Sequence, residues 1–189
     1  MIKENGAVQI YQIKITLKGL KPVIWRRVHV RSDITLAKLH EVIQIAMGWT
    51  DSHLHVFVIG GERYSKRGMV EDFGDRTADE RRVRLDQVAT LQSHFVYEYD
   101  FGDDWVHEVK VEKIIAFQAG IKTPHCVAGK HACPPEDCGG IWGYADMLKR
   151  LAGPPSEERT ELIEWLGDEF DPQRFELQEV NETLQGLKK

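Results

Sequence analysis

The stretch YDFGDDWVH places Asp100, Asp103, Asp104 and His107 within one short span. Carboxylate oxygens suit hard divalent cations, and an imidazole suits zinc or manganese. A tight turn that gathered these groups would make a metal-dependent hydrolase or nuclease. The carboxylates would hold the ion, and His107 would serve as a ligand or general base. The plainer reading is a hairpin loop whose Asp side chains accept from backbone amides while Gly102 supplies a positive φ.

A second concentration comprises His125, Cys126, Cys133 and Cys138, with His131 in the same stretch. Zinc takes three or four borderline or soft ligands around a tetrahedron, which makes it the one cofactor this segment suggests. The Cys-x6-Cys-x4-Cys spacing is not the Cys-x2-Cys of a zinc knuckle. The competing reading is reduced thiols packed as small hydrophobes. A thiol nucleophile would need a base and an orienting partner, and no known local signature surrounds these cysteines. Within this segment CPPEDCGG (133–140) reads as a metal knuckle, a catalytic loop or an entry into a helix. In the last case Asp137 offers its carboxylate to the free amides of a helix that begins near Ile141.

Aromatic and basic residues form a third set: Trp25, Arg26, Arg27, Arg31, His40, Trp49 and His53. Such groups contact phosphates and stack on bases. On a strand, however, Arg26 and Arg27 point to opposite faces. Trp49 follows a helix C-cap and reads as a core anchor. His40 borders an apolar stripe and reads as a buried, hydrogen-bonded histidine. There is no phosphate-binding glycine loop, no GxSxG and no HExxH.

The elements that must position these residues follow from periodicity. Ile13, Ile15 and Leu17 alternate with Lys14, Thr16 and Lys18, and Ile24, Val28 and Val30 alternate with Trp25, Arg27 and His29. Both patterns predict half-buried strands, paired antiparallel across Gly19 and Pro22. Thr35 is an N-cap for a helix with a Leu36, Leu39, Ile43, Met47 stripe, and Gly48 ends it. Residues 53–64 read as a strand, a Gly-Gly turn and a second strand, and 65–84 as a solvated loop with a short turn or strand at RLDQV. SHFVYEYD and WVHEVKVE form a hairpin around FGDD. Residues 116–140 read as loop-rich.

A helix with Ile141, Tyr144, Leu148 and Leu151 on one face stops at Gly153-Pro154-Pro155. Another starts at Ser156 and ends at Gly167, and Asp171-Pro172 reads as an N-cap with proline at N1 before a last helix through Leu177, Val180 and Leu184. Strands, one helix, strands and then helices define an α+β class. The expectation is one compact domain over 1–189, with a largely antiparallel sheet and a helical C-terminal part.

At 189 residues such a domain buries about 70% of its unfolded surface. The 42% hydrophobic and 29% charged composition is that of a soluble globular chain. No apolar run is long enough to span a bilayer, and the N-terminal residues lack a signal peptide's apolar core, so the expected location is the cytoplasm. A net charge of −5 excludes a global positive field for nucleic acid and leaves only a local basic surface. Three cysteines, an odd number, argue against a disulfide framework.

ITLKGLKPVIWRRVHV, TLAKLHEVIQIAMGW with HLHVF, YEYDFGDDWVHEV, CPPEDCGGIWGY and GDEFDPQRFELQEVN occur in one order. Together they resemble the plasmid Ri (pRiA-4b) ORF-3-like family, which includes passenger proteins of insertion elements. The resemblance covers about residues 8–181. It implies a compact α+β domain with an antiparallel sheet and brings no catalytic set. The positions matching the family's polar and aromatic motifs are Trp25, Arg26, His40, Trp49, His53, Asp100, Asp103, Trp105, His107, Glu136 and Asp137. Three functions follow as expectations. The first is a binding or adaptor module, associated with mobile elements, whose groove lies between the sheet and the Pro-Pro-Glu-Asp loop. The others are the metal-dependent hydrolase or nuclease and a nucleic-acid-binding protein with a local basic surface. Partners are protein or nucleic acid, with no membrane.

Overall fold

The computed structural model describes residues 7–66, 68, 77–118, 120–167 and 170–187. Its elements run β1 (Gln9–Leu17), β2 (Trp25–Arg31), α1 (Leu36–Met47), β3 (His55–Ile59), β4 (Glu62–Ser65), β5 (Thr77–Asp79), a 3-10 turn (Glu80–Arg82) and α2 (Leu85–Val88). They continue β6 (His94–Tyr99), β7 (Trp105–Ala116), β8 (His125–Lys130), α3 (Gly140–Ala152), α4 (Glu157–Leu166) and α5 (Leu177–Gln185). One eight-stranded sheet has the order β5-β4-β3-β6-β7-β1-β2-β8. Every pairing is antiparallel except β4 with β5. The α+β class, in one compact domain, holds.

Alternation builds the sheet as expected. Ile13, Ile15 and Leu17 of β1, and Val28 and Val30 of β2, are essentially inaccessible, while Lys14, Thr16, Trp25, Arg27 and His29 stay partly exposed on the other face. The inner face packs on α1 through Leu36, Leu39, Val42, Ile43, Ala46 and Met47. Each such Leu, Ile or Val contributes about 1.5–3 kcal/mol by leaving water. Thr35 caps α1 by accepting from the Lys38 amide, and Gly48 closes it at φ 105. Ser156 likewise caps α4 by accepting from the Arg159 amide.

Three segments differ from the periodicity. Residues 116–140 contain β8, which lacks alternation because its partners come from elsewhere. It pairs with β2 on one side. On the other side Asn181 of α5 donates to the Cys126 carbonyl and accepts from the Cys126 amide, both at 2.8 Å. A side-chain amide thus satisfies an edge strand that would otherwise invite another chain.

Within 65–84, residues 67 and 69–76 lie outside the described residues, but 77–82 form β5 and a 3-10 turn. That turn buries Glu80 against His55, with Oε2 at 2.8 Å from Nε2. RLDQV supplies the one-turn α2. Finally, Asp171-Pro172 does not start a helix. Asp171 closes a turn by accepting from the Gln173 and Arg174 amides, and α5 begins only at Leu177.

Candidate metal centre

Three segments meet at one end of the sheet: the α1–β3 connection (48–54), the β6–β7 turn (100–104) and the Pro-Pro-Glu-Asp loop. Gly48 reverses the chain, and Trp49 buries its ring against Tyr99 and Trp105. The Trp49 indole N–H donates to the Pro134 carbonyl at 3.1 Å and so ties the Pro-Pro segment to the core. Glu136 is then held from three directions. The Thr50 amide (2.9 Å), the Thr50 hydroxyl (3.2 Å) and the Tyr99 hydroxyl (3.0 Å) all donate to its Oε1. Burial, and then the Glu136 charge, push the Tyr99 phenol well up, which keeps it a donor.

Asp100 ends β6 at φ 57, and its Oδ1 accepts from the Gly102 (2.9 Å) and Asp103 (3.3 Å) amides. Hydrogen bonding to the backbone is what the plain hairpin reading expects, but Asp100 and Asp104, not Gly102, carry the positive φ. With Oδ1 so held, Oδ2 lies 3.7 Å from His53 Nε2. Glu136 Oε2 is 3.9 Å and Asp137 Oδ1 3.1 Å from the same nitrogen. That nitrogen is buried, and the Asp137 oxygen, though close, falls outside hydrogen-bond geometry. The ligand atoms of His53, Asp100 and Asp137 all lie within 4.8 Å of one another. The Asp100 side chain is only 8% exposed and Asp137 is 71% exposed, so the group opens to solvent on the Asp137 side.

The sequence-derived sets divide at this point. His107 does not join Asp100, Asp103 and Asp104: it is fully buried on β7 with Nδ1 at 3.1 Å from the Tyr97 carbonyl. Strand pairing sends it into the core, where burial lowers its pKa to about 4. Asp103 reaches across to accept from the Gly139 amide at 3.2 Å. The α3 entry therefore takes its carboxylate from Asp103 and not from Asp137, which at φ 56 turns toward His53.

Trp105, Trp49 and His40 are core residues as well. Arg26 is 2% exposed, with Nε donating to the Ala46 carbonyl (2.7 Å), Nη1 donating to the Lys130 carbonyl (3.1 Å), and the guanidinium 4.1 Å above the Phe175 ring. It ties α1 to β8 and, with Pro134, Pro135 and Phe175, lines a depression beside the Pro-Pro segment. Arg26→Met is expected to cost roughly 2–4 kcal/mol in urea unfolding, because buried carbonyls lose their donors. Trp25 lies on the opposite sheet face under Lys14 and Arg27.

His125 and Cys126 are adjacent on β8 and point to opposite faces. His125 is paired with His29, while Cys126 is fully buried. All three cysteines are free. Burial pushes the Cys126 and Cys133 thiols up and that of Cys138 to about 12. Among the described residues, no group of three close metal-ligating side chains includes a cysteine.

A second group, His40, Asp51 and His55, also has close ligand atoms. Its nitrogens are already engaged. His40 Nε2 is 2.8 Å from Asp51 and Nδ1 2.8 Å from the Tyr97 hydroxyl, which also accepts from Gln44. The His40 and His55 rings stack at 3.5 Å. Burial, then the neighbouring His55, lower His40 to about 4, so it is neutral and fits an Nε2–H donated to Asp51. This network braces the loop that carries His53. Periodicity does not single out Thr50, Asp51 or Tyr99. The polar run Thr50-Asp51-Ser52-His53 directly after a helix C-cap is the available signal for the loop, whereas Tyr99 looks like any inward strand aromatic.

The fold and site define a single-domain α+β protein whose antiparallel sheet ends in a histidine–carboxylate cluster. The chain belongs to the plasmid pRiA4b ORF-3-like protein family, whose family model matches residues 9–179. It is 37% identical over 181 residues to the uncharacterized protein y4hQ of Sinorhizobium fredii (strain NBRC 101917 / NGR234), covering 94% of this chain and 92% of that one. It is also similar to the crystal structure of protein of unknown function MM3350 from Methanosarcina mazei Go1. That match has TM-score 0.83 and 38% identity over 92% of this chain and 98% of the other. Among the described residues, no helix is long and apolar enough to cross a membrane.

Proposed function

We propose that this chain is a binding module whose working site is the His53, Asp100, Glu136 and Asp137 cluster, and that the site takes a divalent cation. The observation that carries this reading is the buried His53 Nε2 facing three carboxylate oxygens within 3.9 Å without a hydrogen bond of its own. Like charges about 4 Å apart repel by about 4 kcal/mol near a protein surface, and a doubly charged ion reverses that sign. One imidazole and two carboxylates suit zinc or manganese better than magnesium or calcium. His53, Asp100 and Asp137 would hold the ion. Glu136, fixed by Tyr99 and Thr50, would orient the shell around it. The family's plasmid association supports a role in mobile-element biology, and three free thiols support action in the cytoplasm.

Isothermal titration with Zn²⁺ and Mn²⁺, with elemental analysis of the untagged protein, tests this. About one ion per chain is expected, with affinity lost at least ~100-fold in His53→Gln and Asp137→Asn. Cys133→Ser/Cys138→Ser should retain the ion. Metal that instead follows the cysteines would move the zinc site to them, and no binding at all would sink the reading.

A second reading is metal-dependent hydrolysis. Three protein ligands leave coordination positions for water, on the side where Asp137 is exposed. The candidate set is then Asp100, Asp137 and His53, without His107. Phosphoester and nucleic-acid substrates assayed with Mn²⁺ and with chelator decide it, and the absence of metal-dependent turnover removes it.

A further inference from the structure

All the long apolar stripes pack on one face of the sheet. The other face presents a cross-strand row that the overall charge of −5 conceals. Strand register sets Lys110 of β7 opposite Lys14 of β1, and Lys14 opposite Arg27 of β2. The next row sets Lys113, Gln12 and His29 side by side. Neighbouring strands are about 4.8 Å apart, so these cations form a continuous strip. Gln12, Arg27, Lys110 and Lys113 line an open depression of about 460 Å³ with Gln92 and Glu112. Glu112 is the carboxylate within this strip, and it is committed to Arg27 at 2.6 Å. Glu108 lies a row away beside Lys18 and His94. The positive surroundings register on His29, whose pKa is lowered by burial and then by His125 and Lys113. At the edge of the strip Trp25 lies under both Lys14 (5.2 Å) and Arg27 (5.0 Å).

We infer that this open sheet face binds single-stranded nucleic acid. Lysines spaced by the strand repeat complement phosphates, and the part-exposed Trp25 and His29 rings on the same face supply aromatic surface beside them for unpaired bases. Duplex fits poorly, because its bases are read by an element inserted into a groove, and the centre of a broad sheet does not enter one. An acidic peptide would match the lysines but leave the aromatic groups unused. This surface lies on the face opposite the buried stripes and is independent of any ion at His53.

Fluorescence anisotropy with labelled single-stranded RNA and DNA of about twenty nucleotides, in about 50 mM salt with chelator, tests the inference. Lys14→Glu/Lys110→Glu should weaken binding at least roughly tenfold and make the salt dependence shallower by about two counterions. Lys122→Glu/Lys149→Glu, with the same change in charge at other exposed positions, should stay within about twofold. No single-strand binding by the wild type overturns the inference. So do equal losses in the two variants, or duplex or polyglutamate bound as tightly as single strands. Because chelator is present throughout, failure here is separate from failure of the cation site.

Discussion

Between pH 6.5 and about 4 the protein is expected to lose stability steeply, with an onset well above the range where ordinary carboxylates titrate. His40 and His107 are both held near pKa 4 in the fold, against 6.5 when free. Burial is the first cause in each case. Above pH 6.5 both histidines are neutral whether the chain is folded or not, and their contribution is fully present. As pH falls below 6.5 the unfolded chain takes up protons that the fold refuses, so unfolding becomes easier. By pH 4 each histidine removes roughly 3 kcal/mol, a large share of the ~5–15 kcal/mol that holds a typical domain together. Salt-bridged carboxylates such as Asp33 and Glu112, whose pKa values are lowered, add their own loss only from the lower end of this window downward. Urea unfolding across pH 7.5 to about 4.5 measures the slope. His107→Gln should make it shallower by about half, because Gln carries no proton in this range. Equal stability at both ends would show that the two rings are protonated within the fold.

Gly143→Ala is expected to cost about 3 kcal/mol or more and to weaken the cation site with it. A Cβ at Gly143, in the first turn of α3, would overlap the Cys138 carbonyl oxygen. Backbone meets backbone there, so no side-chain rotation relieves it. Gly140 faces the same problem against the Asp103 carbonyl oxygen, at φ 65. The glycines of CPPEDCGGIWG therefore allow the loop to dock on the β6–β7 turn and to carry Glu136 and Asp137 to His53. Thermal unfolding and cation titration of one variant check both halves. A destabilised Gly143→Ala with unchanged cation affinity would show that the loop is positioned without this contact. By contrast, Gly61→Ala adds a Cβ with nothing within 4 Å and should cost little beyond the strain of its φ of 87.

The parts legible in the sequence are those governed by neighbours in the chain. Alternation in 10–18, 24–30 and 94–112 and the Thr35 and Ser156 caps depend on spacing within a few residues. His40 and Trp49 read correctly as buried for the same reason. The strand β8 was not legible, because its edge is satisfied by Asn181, 55 residues away. Nor was the real partner of Asp100. Proximity in sequence pointed to His107, but a strand sends alternate residues to opposite sides and put that ring in the core.

The sequence by itself determined the α+β class, the hairpins, the helix limits at Thr35, Gly48 and Ser156, and the residue types from which a site could be drawn. Which of those residues meet was decided by tertiary structure alone. His53, Asp100 and Asp137 are separated by 47 and 37 positions (100 − 53 and 137 − 100). They converge because the sheet order places the end of β6 beside the α1–β3 loop, and close glycine packing brings the Pro-Pro-Glu-Asp loop onto both. The same register that hid His107 laid Lys110, Lys14 and Arg27 in one row on the open face. Local periodicity assigns each residue to a face, and only the pairing of distant strands assigns its neighbours.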